Sequence, residues 1–452
     1  MLNQSFSADN FRRILDLENR KGVYLEGRFF PNVSKIAENI KQCNKDIKEK
    51  GRSRSKHNDE LKKLYEKRKE SKEKKEELLN AELQKVSDNV VDSRFKIELE
   101  RKDVPNKKPV YTIKDSPEHY FTMKQIQYNI FHLYHVKQSN RFEIVSQIKA
   151  LLSDGFPKYV IRTDIDDFYE NIPHKPLLQR INEDNLLTPF SRKILRQILN
   201  RYKDLSKSDK GIPRGVGVSA YLAELYMRRI DEDILSEIGI SYYARYVDDI
   251  IIIFVPRPAE QNVNYLKKIK DIFEIKWGLK LSKDKTDKFD LMGTRQSCKL
   301  EYLGFKMVLE DKRTKKKPNA ITVKTRLTDK KINKYQDRID LAFNDYKNLS
   351  KVDKKKAREL LVKRLRFLTG NTRLKNNKKN VLTGIYYSNS QLTEKDDLKK
   401  LDEDLIKKID KEILGSRLQK RLKKYKFIDG FELKRFSPFK THELAKIMKV
   451  WK

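Results

Sequence analysis

The sequence predicts an α+β chain, with a core of antiparallel strands between two charged helical regions. Three observations carry that prediction. Over 34–88, Lys and Glu alternate with apolar residues at helical spacing (Ile36, Ile40, Leu61, Leu64, Leu78, Leu79, Leu83), with a break near Gly51-Arg52-Ser53. Between 109 and 309 the composition turns apolar and aromatic, and two runs of strand formers end in acids. After the basic run at 312–317 the chain returns to amphipathic, Lys-rich stretches, notably 329–349 and 354–368. The expected organisation is a helical extension (1–108), a mixed core (109–309) and a basic helical region (310–452). Each charged stretch taken alone reads most simply as a solvated helix face.

At 452 residues with 38% hydrophobic side chains, including 21 Phe and 21 Tyr, the chain can bury a substantial core. Lys and Arg total 102 against 65 Asp and Glu, a formal charge of +37. Such an excess repels itself unless it meets a polyanion, nucleic acid first and an anionic membrane second. The longest apolar run, Ile250 to Val255, is far short of the ~20 residues a spanning helix needs, so no membrane partner is expected. The opening MLNQSFSADNFRR has no apolar signal region. Cys43 and Cys298 have no CxxC spacing, which excludes a disulfide framework or zinc ribbon and suits a reducing cytoplasm.

The chemistry centres on two segments. Tyr159, Val160, Ile161 and Thr163 form a strand-like run that ends at Asp164-Ile165-Asp166-Asp167. The run 240–255 reads as a hairpin with Val247-Asp248-Asp249 at its tip. If the hairpin lies beside the first strand, Asp164, Asp248 and Asp249 meet. Close carboxylates raise one another's pKa unless a cation neutralises them. Oxygen ligands without His or Cys select Mg²⁺ or Mn²⁺. Two such ions, about 3.5–4 Å apart, can activate a hydroxyl and stabilise a departing pyrophosphate. A lone Asp-Asp would be a solvated turn; the matching strand-end acid upstream favours the metal.

At these residues the sequence resembles a reverse transcriptase, whose motifs occur in order. They are Asp164-Ile165-Asp166-Asp167-Phe168-Tyr169, then 211–219 with Gly211, Pro213, Arg214 and Gly215, then Tyr246-Val247-Asp248-Asp249. A fourth, 278–286, contains Lys285, and the fifth is Glu301-Tyr302-Leu303-Gly304-Phe305. Any one is weak; five in register are not chance. The resemblance implies a right-hand polymerase with fingers, palm and thumb, its antiparallel palm sheet carrying the aspartates.

It also implies roles. Asp164, Asp248 and the Ile165 carbonyl would hold two Mg²⁺ ions (or Mn²⁺), with Asp249 completing the cluster. Tyr169 would be a steric gate beside Phe168, excluding a ribose 2′-hydroxyl by bulk. Strand alternation alone does not aim it, so a turn after Phe168 is expected to do so. Lys285 would protonate or neutralise the leaving pyrophosphate, although a solvated lysine explains it equally well. Arg214 stands where the family commonly has Gln, placing a fixed charge beside Gly215 and the nucleotide or template. Arg141, on an expected fingers helix, is a triphosphate ligand or a structural ion-pair partner. Tyr302, Leu303, Gly304 and Phe305 would form the primer grip, with packing an equal explanation for the two rings.

Outside the palm, Ser5-Phe6-Ser7, Glu18-Asn19-Arg20-Lys21-Gly22, the 368–373 stretch and Asn376-Asn377-Lys378-Lys379 resemble bacterial antiphage defence reverse transcriptases, most nearly the first subunit of the type 3 system. That resemblance implies a noncoding RNA as template or scaffold, a DNA product made from deoxynucleoside triphosphates, and a second reverse transcriptase subunit or another copy as partner. The basic helices 354–366 and 417–426 are candidates for RNA phosphate contacts. A template-independent or protein-primed nucleotidyl transferase would keep all five motifs. A catalytically silent RNA-binding scaffold would not need to keep three uncompensated acids.

Overall fold

The computed structural model describes residues 2–51, 58–105, 107–136, 139–257, 263–293, 297–311, 321–374 and 381–451. Arg52-Ser53, the basic run 312–317 and Asn376-Asn377-Lys378-Lys379 lie outside the described residues. The chain divides into two units whose segments alternate in sequence. The first comprises Met1–Gln138, Asp166–Asp233 and Ile272–Lys280; the second comprises Ser139–Ile165, Ile234–Asp271 and Leu281–Lys452. No helix among the described residues is long and apolar enough to cross a membrane.

In the first unit the charged extension folds into helices Ala8–Arg20, Pro31–Lys50 and Asn58–Val91. The longest buries Leu79, Leu83, Val86 and Val90. Their 4-3-4 spacing is the seam that lets one helix lie along another while its lysines and glutamates stay in water. Phe11 stacks on Phe121 of helix Pro117–Tyr134 at 5.3 Å, tying the extension to the rest of the unit. A hairpin follows the long helix: β1 (Leu99–Val104) pairs antiparallel with β2 (Lys107–Ile113).

The second unit holds the predicted sheet. Its strands are β3 (Lys158–Asp164), β4 (Ile240–Tyr246), β5 (Asp249–Phe254) and β6 (Asp287–Leu291), ordered β4-β5-β3-β6 and antiparallel throughout. Alternation along β5 sends Ile251 and Ile253 to a core shared with a second sheet, which also buries Leu300, Phe305 and Met307. That sheet is β7 (Ser297–Tyr302), β8 (Phe305–Asp311) and β9 (Ile321–Leu327), in that order.

The predicted amphipathic stretches are helices Asp329–Ser350 and Lys354–Leu368, whose Phe343, Leu361 and Leu365 extend the same core. β10 (Asn371–Leu374) and β11 (Val381–Gly384) close a last hairpin. There the buried Asn371 amide donates to Gly430 O at 2.8 Å and accepts from the Tyr386 N–H at 2.9 Å. A Cβ on Gly370 would meet Arg366 O at 2.7 Å, so glycine is needed at this crossing of chains. Thr369-Gly370-Asn371 therefore has a structural task.

Candidate active site

The site is assembled by strand register. Asp164 is the last residue of β3 and pairs with Asp249, the first of β5; Asp249 also pairs with Tyr246 at the end of β4. Two residues, Val247 and Asp248, make the reversal, so Asp249 opens a strand rather than capping the tip. The Ile165 N–H donates to Asp248 O at 3.2 Å and the Ser282 N–H to Asp164 O at 2.8 Å. Backbone hydrogen bonds thus fix both acidic segments. One carboxylate oxygen each from Asp164, Asp248 and Asp249 comes within 4.8 Å of the others. This all-oxygen cluster, joined by no His or Cys among the described residues, suits a hard divalent cation.

Burial first, then the neighbouring Asp164 and Asp248 charges, push the Asp249 carboxyl up to about 6. Two cations oppose that strain. Lys285 Nζ hydrogen-bonds Asp164, and this contact with the three acidic charges raises the lysine above its ordinary range. Arg162 Nη2 lies 3.7 Å from Asp249 Oδ1, while its Nη1 donates to Lys285 O at 2.8 Å. Arg162 escaped the sequence reading, although its position two residues before Asp164 on one strand gives both the same face. Val247 takes a φ of 61°, an outlier for a β-branched side chain, and its carbonyl accepts from Arg245 Nη1 at 3.0 Å.

The predicted primer-grip residues make a second two-residue reversal. Tyr302 pairs with Phe305, and between them Leu303 and Gly304 have φ of 48° and 74°. The buried Tyr302 hydroxyl donates to Asp249 O at 3.0 Å, binding one hairpin to the other. Both Tyr302 and Phe305 are fully buried, and Leu303 packs in the same core, so of these four residues Gly304 alone is half-buried.

Arg141 bonds Leu303 O through Nη2 and lies 5.4 Å above the Phe305 ring. Its hydrogen bond therefore goes to a backbone carbonyl. A cavity of about 460 Å³ opens here, lined by Arg141, Tyr246, Asp249, Gly304, Lys331 and Lys334 among others. Burial, then Arg141 and Lys334, push the Lys331 ammonium down to about 7. No sequence signal marks Lys331, because only tertiary packing separates it from its many solvated neighbours.

The remaining predicted residues cluster in the first unit. The chain reverses at Asp166-Asp167, not after Phe168: Asp167 adopts φ 46° and the short helix Phe168–Asn171 follows. Aspartate tolerates this left-handed conformation better than a phenylalanine or tyrosine would, which places the turn earlier than expected. Phe168 is buried, and Tyr169 O accepts from the Ile212 N–H at 2.7 Å. The Arg214 guanidinium pairs with Glu170 at 3.1 Å and lies 5.7 Å from the Tyr169 ring centroid. Gly215 has φ 95°, and a Cβ there would meet Val110 Cγ1 at 2.4 Å and Tyr111 O at 2.8 Å; only glycine fits against β2.

Residues 112–307 match a family model described as reverse transcriptase (RNA-dependent DNA polymerase). No curated protein sequence matches the chain. Two telomerase structures are among the solved structures similar to it. An apo telomerase from Candida tropicalis truncated from its C-terminal domain is 16% identical, covering 52% of this chain and 56% of that one, with a TM-score of 0.34. The apo telomerase from Candida tropicalis is 14% identical, covering 48% of each chain, also with a TM-score of 0.34. The chain thus spans about half the length of the solved structures it matches. Residues 112–307 thus match a reverse transcriptase domain, in a chain that combines helices with antiparallel sheets.

Proposed function

We propose that this chain copies RNA into DNA from deoxynucleoside triphosphates. The observation that carries the reading is the convergence of Asp164, Asp248 and Asp249 at paired strand ends inside the matched segment. Asp164, Asp248 and the Ile165 carbonyl hold Mg²⁺, with Mn²⁺ as a substitute, and Asp249 completes the cluster. When bound, two such ions supply activation of a primer 3′-hydroxyl and neutralisation of the leaving pyrophosphate. Lys285, held at Asp164, keeps a proton ready for that leaving group. Tyr169, with Phe168, Arg214 and Gly215, selects the sugar and seats the nucleotide. The turn of 302–305, steadied by Arg141, seats the primer. On this reading 1–108 is an extension, 109–309 the fingers and palm, and 310–452 the thumb and C-terminal region.

The flanking segments that resemble antiphage reverse transcriptases support a cytoplasmic role in phage defence. A noncoding RNA would serve as template or scaffold, and a second reverse transcriptase subunit or another copy would be the partner. Sequencing the RNA and DNA that copurify with the protein tests the reading. An RNA accompanied by its complementary DNA is expected. DNA with no complement in the bound RNA, made equally well without template, would replace this reading with a template-independent transferase. Tyr169→Ala should lower discrimination against ribonucleotides by roughly 10–10³-fold while Tyr169→Phe leaves it alone, because exclusion needs bulk and not the hydroxyl.

A further inference from the structure

Away from the aspartates, the second unit carries a groove of about 680 Å³ between helix Lys354–Leu368 and helix Ser416–Leu422. Seven cations line it against one carboxylate, Glu359. Lys354, Lys355, Arg358, Arg417 and Arg421 are exposed, and none of the five has a carboxylate within 4 Å among the described residues. Arg366 is held in place, its guanidinium 5.7 Å from the Phe439 ring centroid and its Nη2 3.5 Å from Ser437 Oγ. Lys363 is the lining cation that is paired, with Glu443 at 2.9 Å.

The charge pattern is ordered. Lys354, Arg358 and Arg366 all line the groove, spread along about 18 Å of one helix. That length matches roughly five phosphates of a stacked strand at ~3.4 Å each. Arg417 and Arg421, also four apart, face them from the other side of the groove. Unpaired like charges held this close repel one another, and the arrangement is stabilised by a polyanion laid between the two rows. Among the described residues the lining offers Val362 and Leu418 and no aromatic platform on which to stack a base. It fits a backbone and not a sequence.

We propose that this groove binds the phosphodiester backbone of an RNA, as a seat separate from the polymerase site. The identification of the polyanion as RNA, in preference to the DNA product, rests on the function proposed above. The groove lies beyond residues 112–307, outside the matched domain. It would hold a strand or duplex independently of the step under way at the aspartates.

The test is fluorescence anisotropy of the full chain with a labelled 30-nucleotide RNA hairpin and a DNA hairpin of the same sequence, without nucleotides or divalent metal. In the test variant Lys355, Arg358, Arg417 and Arg421 are all changed to Gln. In the control the exposed Lys62, Lys63, Lys67 and Lys69 of helix Asn58–Val91 are changed to Gln, for the same loss of net charge. Each phosphate contact contributes about 0.7–0.9 to the slope of log affinity against log salt. The test variant should therefore lose about 3 from the RNA slope and more than tenfold in affinity at 100 mM salt, with the control shifting far less. Equal losses in test and control would overturn the groove, leaving net charge as the cause. A loss confined to the DNA hairpin would overturn the choice of RNA. Primer extension by the unmodified chain on a short RNA–DNA hybrid is scored separately, so absence of polymerisation counts against the function proposed above and not against the groove.

Discussion

The hairpins β4–β5 and β7–β8 each reverse over two residues with a left-handed residue at the first, Val247 in one and Leu303 in the other. Their surroundings differ. The first reversal presents Asp248 beside Asp249 and gathers a third acid from β3. The second presents no side-chain charge of its own; its Leu303 carbonyl is bonded by Arg141, and Lys331 lies 4.6 Å from the Phe305 ring centroid. The first hairpin tolerates strain at Val247, whereas the second has Gly304, where a side chain would crowd Arg141 Nη2 at 3.0 Å. A turn that offers carboxylates to a cation needs them close. On the reading proposed above, the second turn would offer backbone to a primer strand, at Gly304, which adds no side chain. Tyr302 joins the two, so neither is placed without the other.

Replacing Asp248 and Asp249 together by Asn should produce the largest break. Nucleotide incorporation should fall by about 10³-fold or more, and thermal stability in metal-free buffer should stay level or rise, because repulsion and buried charge are relieved. Retained incorporation would dismiss the first hairpin as the chemical centre. Gly304→Ala attacks the second hairpin by putting a Cβ on a residue at φ 74° and against Arg141. Primer extension should drop by roughly 10–100-fold, with about 1–3 kcal/mol lost in urea unfolding; unchanged extension would mean that the turn seats nothing.

Tyr302→Phe cuts the link while keeping the ring. Losing that hydrogen bond costs about 1 kcal/mol, so single-turnover extension should slow by about fivefold, and equal rates would show that the hairpins are placed independently.

The smallest effect concerns the cations around the second hairpin. Lys331 has a folded pKa of about 7 against an ordinary 10.5, so between those values the folded chain binds fewer protons than the unfolded one. Its cost therefore grows as pH falls through that window and is complete below about 7. Lys331→Met should raise stability by about 1–2 kcal/mol more at pH 6 than at pH 9 in thermal melts. A pH-independent gain would place the ammonium in water.

The acidic hairpin was legible in the sequence because its signals are local. A β-branched run stopped by an acid, and two such runs around Val247-Asp248-Asp249, specify strand, reversal and charge within 16 residues. Alternation even contained Arg162, had the face of β3 been followed back from Asp164. The basic helix Lys354–Leu368 was legible for the same reason, since period and charge lie side by side, whereas the stretch 417–426 leaves its helix at Leu422. What stayed hidden depends on partners far along the chain. Arg141 finds Leu303 O across 162 residues, and Lys331 is depressed by Arg141 and Lys334 only after folding buries it. The early turn at Asp166-Asp167 was missed for a different reason: the expected turn was placed after Phe168 to aim Tyr169, when Asp167 is the residue that accepts a left-handed backbone.

The alternation of the two units along the chain has a consequence for how the protein is made. The sequence passes from one unit to the other five times, at 138/139, 165/166, 233/234, 271/272 and 280/281. Chains emerge from the ribosome N-terminus first, and domains generally fold as units during synthesis. The final stretch of the first unit, Ile272–Lys280, emerges after two stretches of the second are already outside. β3 likewise waits for β5, some 90 residues later, before its backbone is paired. Vectorial folding therefore cannot complete one unit and then begin the next. A nascent chain halted before residue 280 holds neither unit whole.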